Sequence, residues 1–319
     1  MTVSFIIPVY NGESYIARCI DSILDNKLSD YEIIIIDDGS TDQTSMICQK
    51  YTEKFDEIIY IKQLNKGVSA ARNLGIATAS KDYIFFVDAD DYLTRIYRDS
   101  YKLGNADIVI FDYYLNDVNS TVSIFNEDTN SISKKSMLKK YLLMDIFNSV
   151  WGKAFRRKFI QDNNILFPVG MKMGEDAVFM GKCISNAEKL HYVNKPFYVY
   201  LKNTDSVSSK AVTSFTDQEQ LILYKKRILE ENTPEDTYQF GKKTFGDVMS
   251  SLRSQTKTFV DFKQLINNLK NHRSLYVYLK SDSNYYGIRK KIQRLLLQRK
   301  WYFLLYIELK FENWRIRLK

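Results

Sequence analysis

The chain has 319 residues, 45% apolar and 14% aromatic, with 46 Lys/Arg against 38 Asp/Glu for a formal charge of +8. That is more than one core usually supports and too apolar for a disordered chain, so a large globular domain with an appendage or second domain is expected. Cys19, Cys48 and Cys183 lie far apart in helix-like patterns, which excludes a disulfide framework and a zinc cluster and fits a reducing cytoplasm. Met1 leads into Val3-Ser4-Phe5-Ile6-Ile7-Pro8 without a basic leader, and no apolar run approaches the ~18 residues of a spanning helix. Neither a signal peptide nor a membrane-crossing segment is expected.

Val3 to Pro8 reads as a buried strand, left by a turn at Asn11-Gly12. Ile16, Ile20, Ile23 and Leu24 then mark one face of a helix. Glu32 to Ile36 is a second apolar strand, ending in Asp37-Asp38-Gly39-Ser40, and Ser40 with Gln43 suggests a capping box for the next helix. A third strand at Ile58 to Ile61, a small-residue helix from Val68 to Ala79 and a fourth strand at Tyr83 to Val87 complete the pattern. Apolar strands alternating with helices predict an α/β fold, a mostly parallel sheet with helices on both faces.

The fourth strand stops abruptly in Asp88-Ala89-Asp90-Asp91. Carboxylates at the carboxyl edge of such a sheet lie where open α/β folds bind ligands, and their mutual repulsion favours a cation. With Asp37-Asp38 ending a neighbouring strand, the residues suggest a nucleotide diphosphate bound through metal. A carboxylate of that pair would accept from a base, Asp88 would meet a ribose hydroxyl and Asp90 a divalent cation. Neither G-x-x-x-x-G-K-[ST] nor G-x-G-x-x-G follows any strand, which argues against P-loop NTPases and dinucleotide dehydrogenases.

Ser4 to Asn11, Glu32 to Asp42, Gly67-Val68-Ser69-Ala70-Ala71-Arg72-Asn73 and Asp88-Ala89-Asp90-Asp91 resemble the successive signatures of family 2 inverting glycosyltransferases of the GT-A fold, a Rossmann-like sheet. The similarity continues through Val150-Trp151-Gly152-Lys153, Asn164 to Pro168 and Gly174-Glu175-Asp176, a pattern shared with bacterial polysaccharide-assembling members. It covers residues 1 to about 210. The resemblance implies that Pro8 and Asp38 lie against a uracil base and Asp88, with Ala89 beside it, at the ribose. It also implies Mn²⁺ or Mg²⁺ on Asp90, bridging the phosphates of a UDP-sugar, and Arg72 near the nucleotide. Asp91 is the weaker candidate, one that caps the following turn.

Glu175-Asp176 opens a helix pattern, where acids also serve simply as caps. The resemblance makes Asp176 the general base for the acceptor hydroxyl and Glu175 its neighbour, holding the acceptor or orienting the base. The reaction is then a single displacement giving a β-linkage from an α-linked donor. Trp151 is read as stacking on an acceptor sugar, with buried core as the alternative, and His191 as a core histidine. Relatives often carry an Arg after Tyr-x-Tyr; here Leu201-Lys202 follows Tyr198-Val199-Tyr200, which leaves any diphosphate contact from this loop to Lys202. The Q-x-x-R-W of processive synthases is missing, so one sugar per binding event is expected.

From Ser214 the spacing is helical, giving domains 1–210 (catalytic) and 211–319 (helical). Residues 285–319 hold ten Lys/Arg and two Asp/Glu, which leaves 36 of each sign in 1–284. Ile288, Ile292, Leu295 and Leu296 with Arg289, Lys290, Lys291 and Arg294, then Trp301 to Ile307 and Trp314 among Arg315 and Arg317, suggest an amphipathic tail on an anionic membrane surface, suited to a polyprenyl-linked glycan acceptor at the inner face of the cell membrane. The alternative is packing against its own domain or a second subunit, as in a homo-oligomer. Nucleic acid is not expected, since no recognised binding module accompanies the charge. The competing function is a non-catalytic nucleotide-sugar-binding scaffold, against which the intact set Asp38, Asp88, Asp90 and Asp176 argues.

Overall fold

The computed structural model describes residues 2–95, 105–125, 132–144, 147–202, 214–280 and 288–317. The chain divides into two compact units, Met1–Lys210 and Ala211–Lys319. In the first, runs of Ile, Val and Phe become strands because β-branched and aromatic side chains suit a pleated surface covered on both sides. These are β1 (Val3–Val9), β2 (Tyr31–Asp37), β3 (Ile58–Lys62) and β4 (Tyr83–Phe86). They pair in parallel in the order β3-β2-β1-β4, with Val3 level with Tyr31 and Tyr83. The crossovers are α1 (Ile16–Leu24), α2 (Thr44–Thr52) and α3 (Val68–Thr78). α1 buries Ile16, Cys19, Ile20 and Ile23, close to the face its spacing predicts.

The chain lays β2 and β3 on one side of β1 and then returns to place β4 on the other. The crevice beyond the carboxyl end of β1 is therefore the topological switch point. Pro8 is tolerated in this central strand for a local reason. Val87 N donates to Ile6 O and Asp38 N to Val9 O, so even-numbered residues of β1 face β4 and odd-numbered ones face β2. The β1–β4 pairing ends at Ile6↔Phe86, and the missing N–H of Pro8 falls where β4 has already left.

Beyond β4 the sheet becomes mixed, which the apolar runs did not indicate. Its strands are β5 (Tyr92–Leu93), β6 (Ile108–Leu115), β7 (Thr121–Val122), β8 (Lys153–Arg156) and β9 (Leu190–Tyr200). The order continues β4-β8-β6-β9-β5, with β8 antiparallel to both neighbours and β6 parallel to β9. Helices α4 (Lys134–Leu143), α5 (Arg157–Asp162) and α6 (Glu175–Asn186) complete the unit. α6 docks through Phe179, whose ring lies 5.8 Å from Phe86, 5.4 Å from Phe155 and 4.0 Å from a parallel Phe167.

The expected Ser40–Gln43 capping box does not form. α2 begins at Thr44, and Asp42 Oδ1 accepts from the Thr44 amide and hydroxyl. Ser40 is drawn elsewhere: its amide donates to Asp37 and its hydroxyl accepts from Asn11 N. The turn before it needs Gly39, at φ +83°, where a Cβ would lie 2.9 Å from Asn65 N.

The second unit is helical, with α7 (Phe215–Asn232), α8 (Thr237–Gln255), α9 (Phe259–Asn271), α10 (Arg273–Lys280), α11 (Ile288–Gln298) and α12 (Tyr302–Arg317). Phe240, Phe245, Leu252, Phe262, Ile266 and Leu297 are among its buried residues. The expectation of a basic face along the tail needs correction. Helical periodicity turns Gln293, Arg294, Leu296 and Leu297 inward and leaves Ile292 and Leu295 outside, so Arg294 is buried rather than offered to a surface. α12 carries apolar residues on both sides, burying Leu305 and Leu309 while exposing Phe303, Leu304, Ile307 and Phe311. The side chain of Trp314 lies outside the described residues. Among the described residues, no helix is long and apolar enough to cross a membrane.

Candidate active site

The switch-point crevice collects the acids that end the strands. β2 carries Asp37 and Asp38 to its rim, but the two differ in kind. Asp37 is fully buried and accepts from Ser40 N, Ser45 Oγ and Tyr60 Oη at 2.7 to 2.8 Å. Burial works against its ionisation, yet these bonds outweigh it and hold the carboxyl below its usual value. Asp38 accepts from Gln63 Nε2, Lys66 N and Gly67 N at 2.7 to 2.8 Å. It shapes the loop that opens α3 and keeps acceptor capacity for one more donor.

The loops after β1 and β2 are interlocked. Asn11 Oδ1 accepts from Thr41 N, Gly12 N donates to Thr44 Oγ1, Glu13 N donates to Asp42 Oδ2 and Gln43 N donates to Glu13 Oε2. Asn11 adopts φ +52° to make the turn.

Arg72 on α3 is the centre of the crevice and is 4% exposed. Its Nη1 donates to Asp176 Oδ1 at 2.6 Å and Glu175 Oε1 at 3.3 Å, and its Nη2 to Asp88 Oδ1 at 3.0 Å. One guanidinium therefore joins the acid after β4 to both acids that begin α6, far apart in sequence. Burial disfavours its charge, but Asp176, Asp88 and Glu175 outweigh burial and raise its pKa above the ordinary value. The guanidinium also lies 5.3 Å from the centre of the Phe167 ring. Asn73, the next residue, exchanges two hydrogen bonds with the Phe167 peptide, Nδ2 to its O at 3.0 Å and its N to Oδ1 at 2.8 Å. This pins the segment leading into Gly174, the left-handed residue from which α6 starts.

Asp176 titrates far from an ordinary carboxylate. Burial lifts its pKa to about 7, aided by Glu175 and Asp88 and opposed by Arg72 and Lys153. Asp91 does not line the crevice. It is fully buried, accepting from Tyr198 Oη and Leu201 N, and burial with the Asp88 charge raises its pKa to about 8. It ties the acidic turn to β9 instead of capping the next turn. Tyr198 Oη also accepts from Asp88 N at 3.2 Å.

Trp151 lies among aromatic side chains of the protein. Its indole is parallel to Tyr198 at 5.1 Å and Tyr200 at 4.9 Å and meets Tyr113 edge-on at 4.8 Å. These contacts take up ring surface that a sugar face would need, so the packing alternative describes it better. Lys202 N donates to Asn116 Oδ1, and the residues after it in that loop, including Ser206, Val207 and Ser208, lie outside the described residues. Asn73, Tyr198 and Lys153 stand within the motifs quoted above, but their sequence context assigns them no role. For Lys153 a signal existed, a single charge between Val150-Trp151 and Ala154-Phe155.

Among the described residues, no group of three or more His, Cys, Asp or Glu is arranged to hold a metal by itself. Asp91 is turned inward, Asp88 is on Arg72 and the Ala89 side chain packs into the core, which leaves Asp90 at the rim. One carboxylate suits Mg²⁺ or Mn²⁺ when substrate phosphates supply other oxygens, so the acids present fit a shared metal and not a protein cage.

The sequence model for glycosyl transferase family 2 matches residues 4–163. Glycosyltransferase GlyA of Streptococcus pneumoniae is 34% identical over 228 residues, 65% of this chain and 31% of that protein. The uncharacterized glycosyltransferase EpsJ of Bacillus subtilis is 32% identical over 236 residues, 71% of this chain and 68% of its own. This chain thus spans under a third of GlyA and about two thirds of EpsJ. Among solved structures, residues 1–349 of Staphylococcus aureus TarS in complex with UDP-GlcNAc match with a TM-score of 0.63 at 21% identity, over 90% of this chain and 94% of that one. The backbone likeness carries the fold, and with a sequence match across half of the chain the protein belongs to glycosyl transferase family 2, on a GT-A fold.

Proposed function

We propose that the protein is an inverting, metal-dependent transferase that moves one sugar from a UDP-sugar to a glycan hydroxyl in bacterial surface polysaccharide or cell-wall synthesis. The observation that carries this reading is the Arg72 cluster, which joins a donor-side acid, Asp88, to a half-buried carboxylate of raised basicity, Asp176. TarS, solved with UDP-GlcNAc and with UDP, supports a nucleotide-sugar donor.

In this reading Pro8 and Asp38 face the base, Asp88 and the Ala89 backbone the ribose side, and Glu175 the acceptor. Asp176 accepts the proton of the acceptor hydroxyl. The oxygen bonds the anomeric carbon from the face opposite the diphosphate, and the carbon–oxygen bond to the diphosphate breaks with its electron pair leaving on phosphate. A base near neutral pKa is better matched to this task than an ordinary carboxylate. Asp90 would hold Mn²⁺ or Mg²⁺, whose charge offsets that of the departing diphosphate. Incubation with a panel of nucleotide sugars and Mn²⁺ should release nucleotide diphosphate from one donor, and Asp90→Ala should lose both that release and metal-dependent UDP binding. Release from no donor, or an unaffected Asp90→Ala, would refute the reading.

The acceptor is proposed to be lipid-linked, with the protein peripheral to the inner face of the membrane. Ile292, Leu295, Trp301, Phe303, Leu304, Ile307 and Phe311 are exposed together with Lys291, Arg299 and Lys300, a combination that suits an anionic bilayer surface. The triple variant Phe303→Ser/Leu304→Ser/Ile307→Ser should no longer float with anionic vesicles. Undiminished flotation would remove the membrane from this reading, and a shift of the intact protein from dimer to monomer would assign the patch to a second subunit.

A further inference from the structure

A lysine with no role in this scheme sits behind the base. Lys153 opens β8 and is 1% exposed. Its Nζ donates to Ser149 Oγ at 3.3 Å and to Trp151 O at 3.2 Å, both uncharged, and lies within 6.0 Å of the Phe147 and Trp151 ring centres. Among the described residues, no carboxylate is close enough to form an ion pair with it. An unpaired ammonium in such surroundings is costly, and a structural role alone would be met as well by Met or Leu.

The sheet shows what the lysine faces. Strand alternation puts Lys153 on the same face as Phe155, the face on which Phe179 of α6 packs. β8 runs antiparallel to β4, so moving from Phe155 to Lys153 goes toward the carboxyl edge. Moving one helical turn from Phe179 to Asp176 goes toward the same edge, because Arg72 binds Asp176 and Asp88 together there. Asp176 is the one charged group whose field reaches Lys153 strongly enough to oppose the effect of burial, which lowers the lysine pKa to about 7. The charged groups facing Asp176 are Arg72 from α3, Glu175 from its own helix, Asp88 after β4 and Lys153 from β8.

We propose that Lys153 is a positioning residue for the transfer, a buried cation acting through Asp176 to keep the base ionised. The crevice carries three carboxylates on Arg72, Asp88 on the donor side and Glu175 and Asp176 on the acceptor side, and with all three ionised Arg72 alone leaves that set two charges short of balance. Lys153 supplies the second positive charge from behind, where it blocks neither donor nor acceptor. This role depends on Asp176 being the base.

A neighbouring cation favours the carboxylate, so its removal makes Asp176 take up its proton at higher pH. In Lys153→Met the acidic limb of the pH profile of kcat/KM for the acceptor should move up by about one unit, so that below the limb the rate falls about tenfold relative to the parent. The alkaline plateau and the KM for the donor should be retained. Lys153→Arg, which keeps the cation, should return the limb toward its parental position. A uniform loss of rate with an unmoved limb would overturn the proposal, as would a shifted limb in both variants alike. UDP affinity and thermal midpoint, measured on each variant, identify a folding defect. If Asp176→Asn still transfers sugar, the base assignment fails, whereas an unmoved limb beside an inactive Asp176→Asn defeats Lys153 alone.

Discussion

Asp176→Asn loses sugar transfer by about 10²- to 10⁴-fold while nucleotide binding survives. The substitution is nearly isosteric and keeps a carbonyl oxygen for the Arg72 bond at 2.6 Å, so the crevice holds its shape and only the proton acceptor is removed. Titration calorimetry with UDP and Mn²⁺, alongside turnover, separates the two effects. An equal loss of binding would show that Asp176 acts on the donor and not as base. In the parent, burial places the pKa of this group at about 7. The rate should therefore climb through neutral pH rather than near pH 4, and the limb should vanish in the variant.

Arg72→Met is the more damaging change to the fold. Three carboxylates, Asp88, Glu175 and Asp176, meet one guanidinium with a side-chain exposure of 5%. Methionine fills much of the volume and leaves the acids facing one another. Breaking a buried pair in this way costs about 3–5 kcal/mol, which is a large share of the stability of a typical domain. The deficit depends on pH. Without Arg72, which holds it down, the folded-state pKa of Asp176 rises further above the unfolded value, so the penalty is full at high pH and recedes as pH falls through the raised pKa. Thermal midpoints of parent and variant should lie far apart at pH 8 and approach each other at pH 6. A constant gap would mean that the loss is one of packing.

The parallel half of the sheet was legible because its strands are largely apolar runs, with β1 and β2 reaching Pro8 and Asp37, β4 leading into Asp88 and β3 stopping at Lys62, a pattern that local chemistry alone produces. Asp38 and Asp88 could be placed at a common edge for that reason. The other half was not, because β8 is four residues long, begins with a buried lysine and lies between strands distant in sequence. Asp91 resembles its neighbours as a letter, and only the arrival of Tyr198 and Leu201 more than a hundred positions later turns it inward. Trp151 and Arg294 share this difficulty, since a large ring or a long cation suits a surface or an interior equally and tertiary packing decides. The Ser40 cap failed on competition, with Asp37 and Asn11 claiming both of its polar groups.

The interlocked loops after β1 and β2 bear on how this rim of the crevice diversifies. Side chains of each loop bond the backbone of the other at Asn11–Thr41, Gly12–Thr44, Glu13–Asp42 and Gln43–Glu13. An insertion in either loop displaces partners in both, so the two lengths are locked together. Exchange of an exposed residue such as Tyr10 leaves this cross-stitching intact, whereas a change in the length of either loop breaks it.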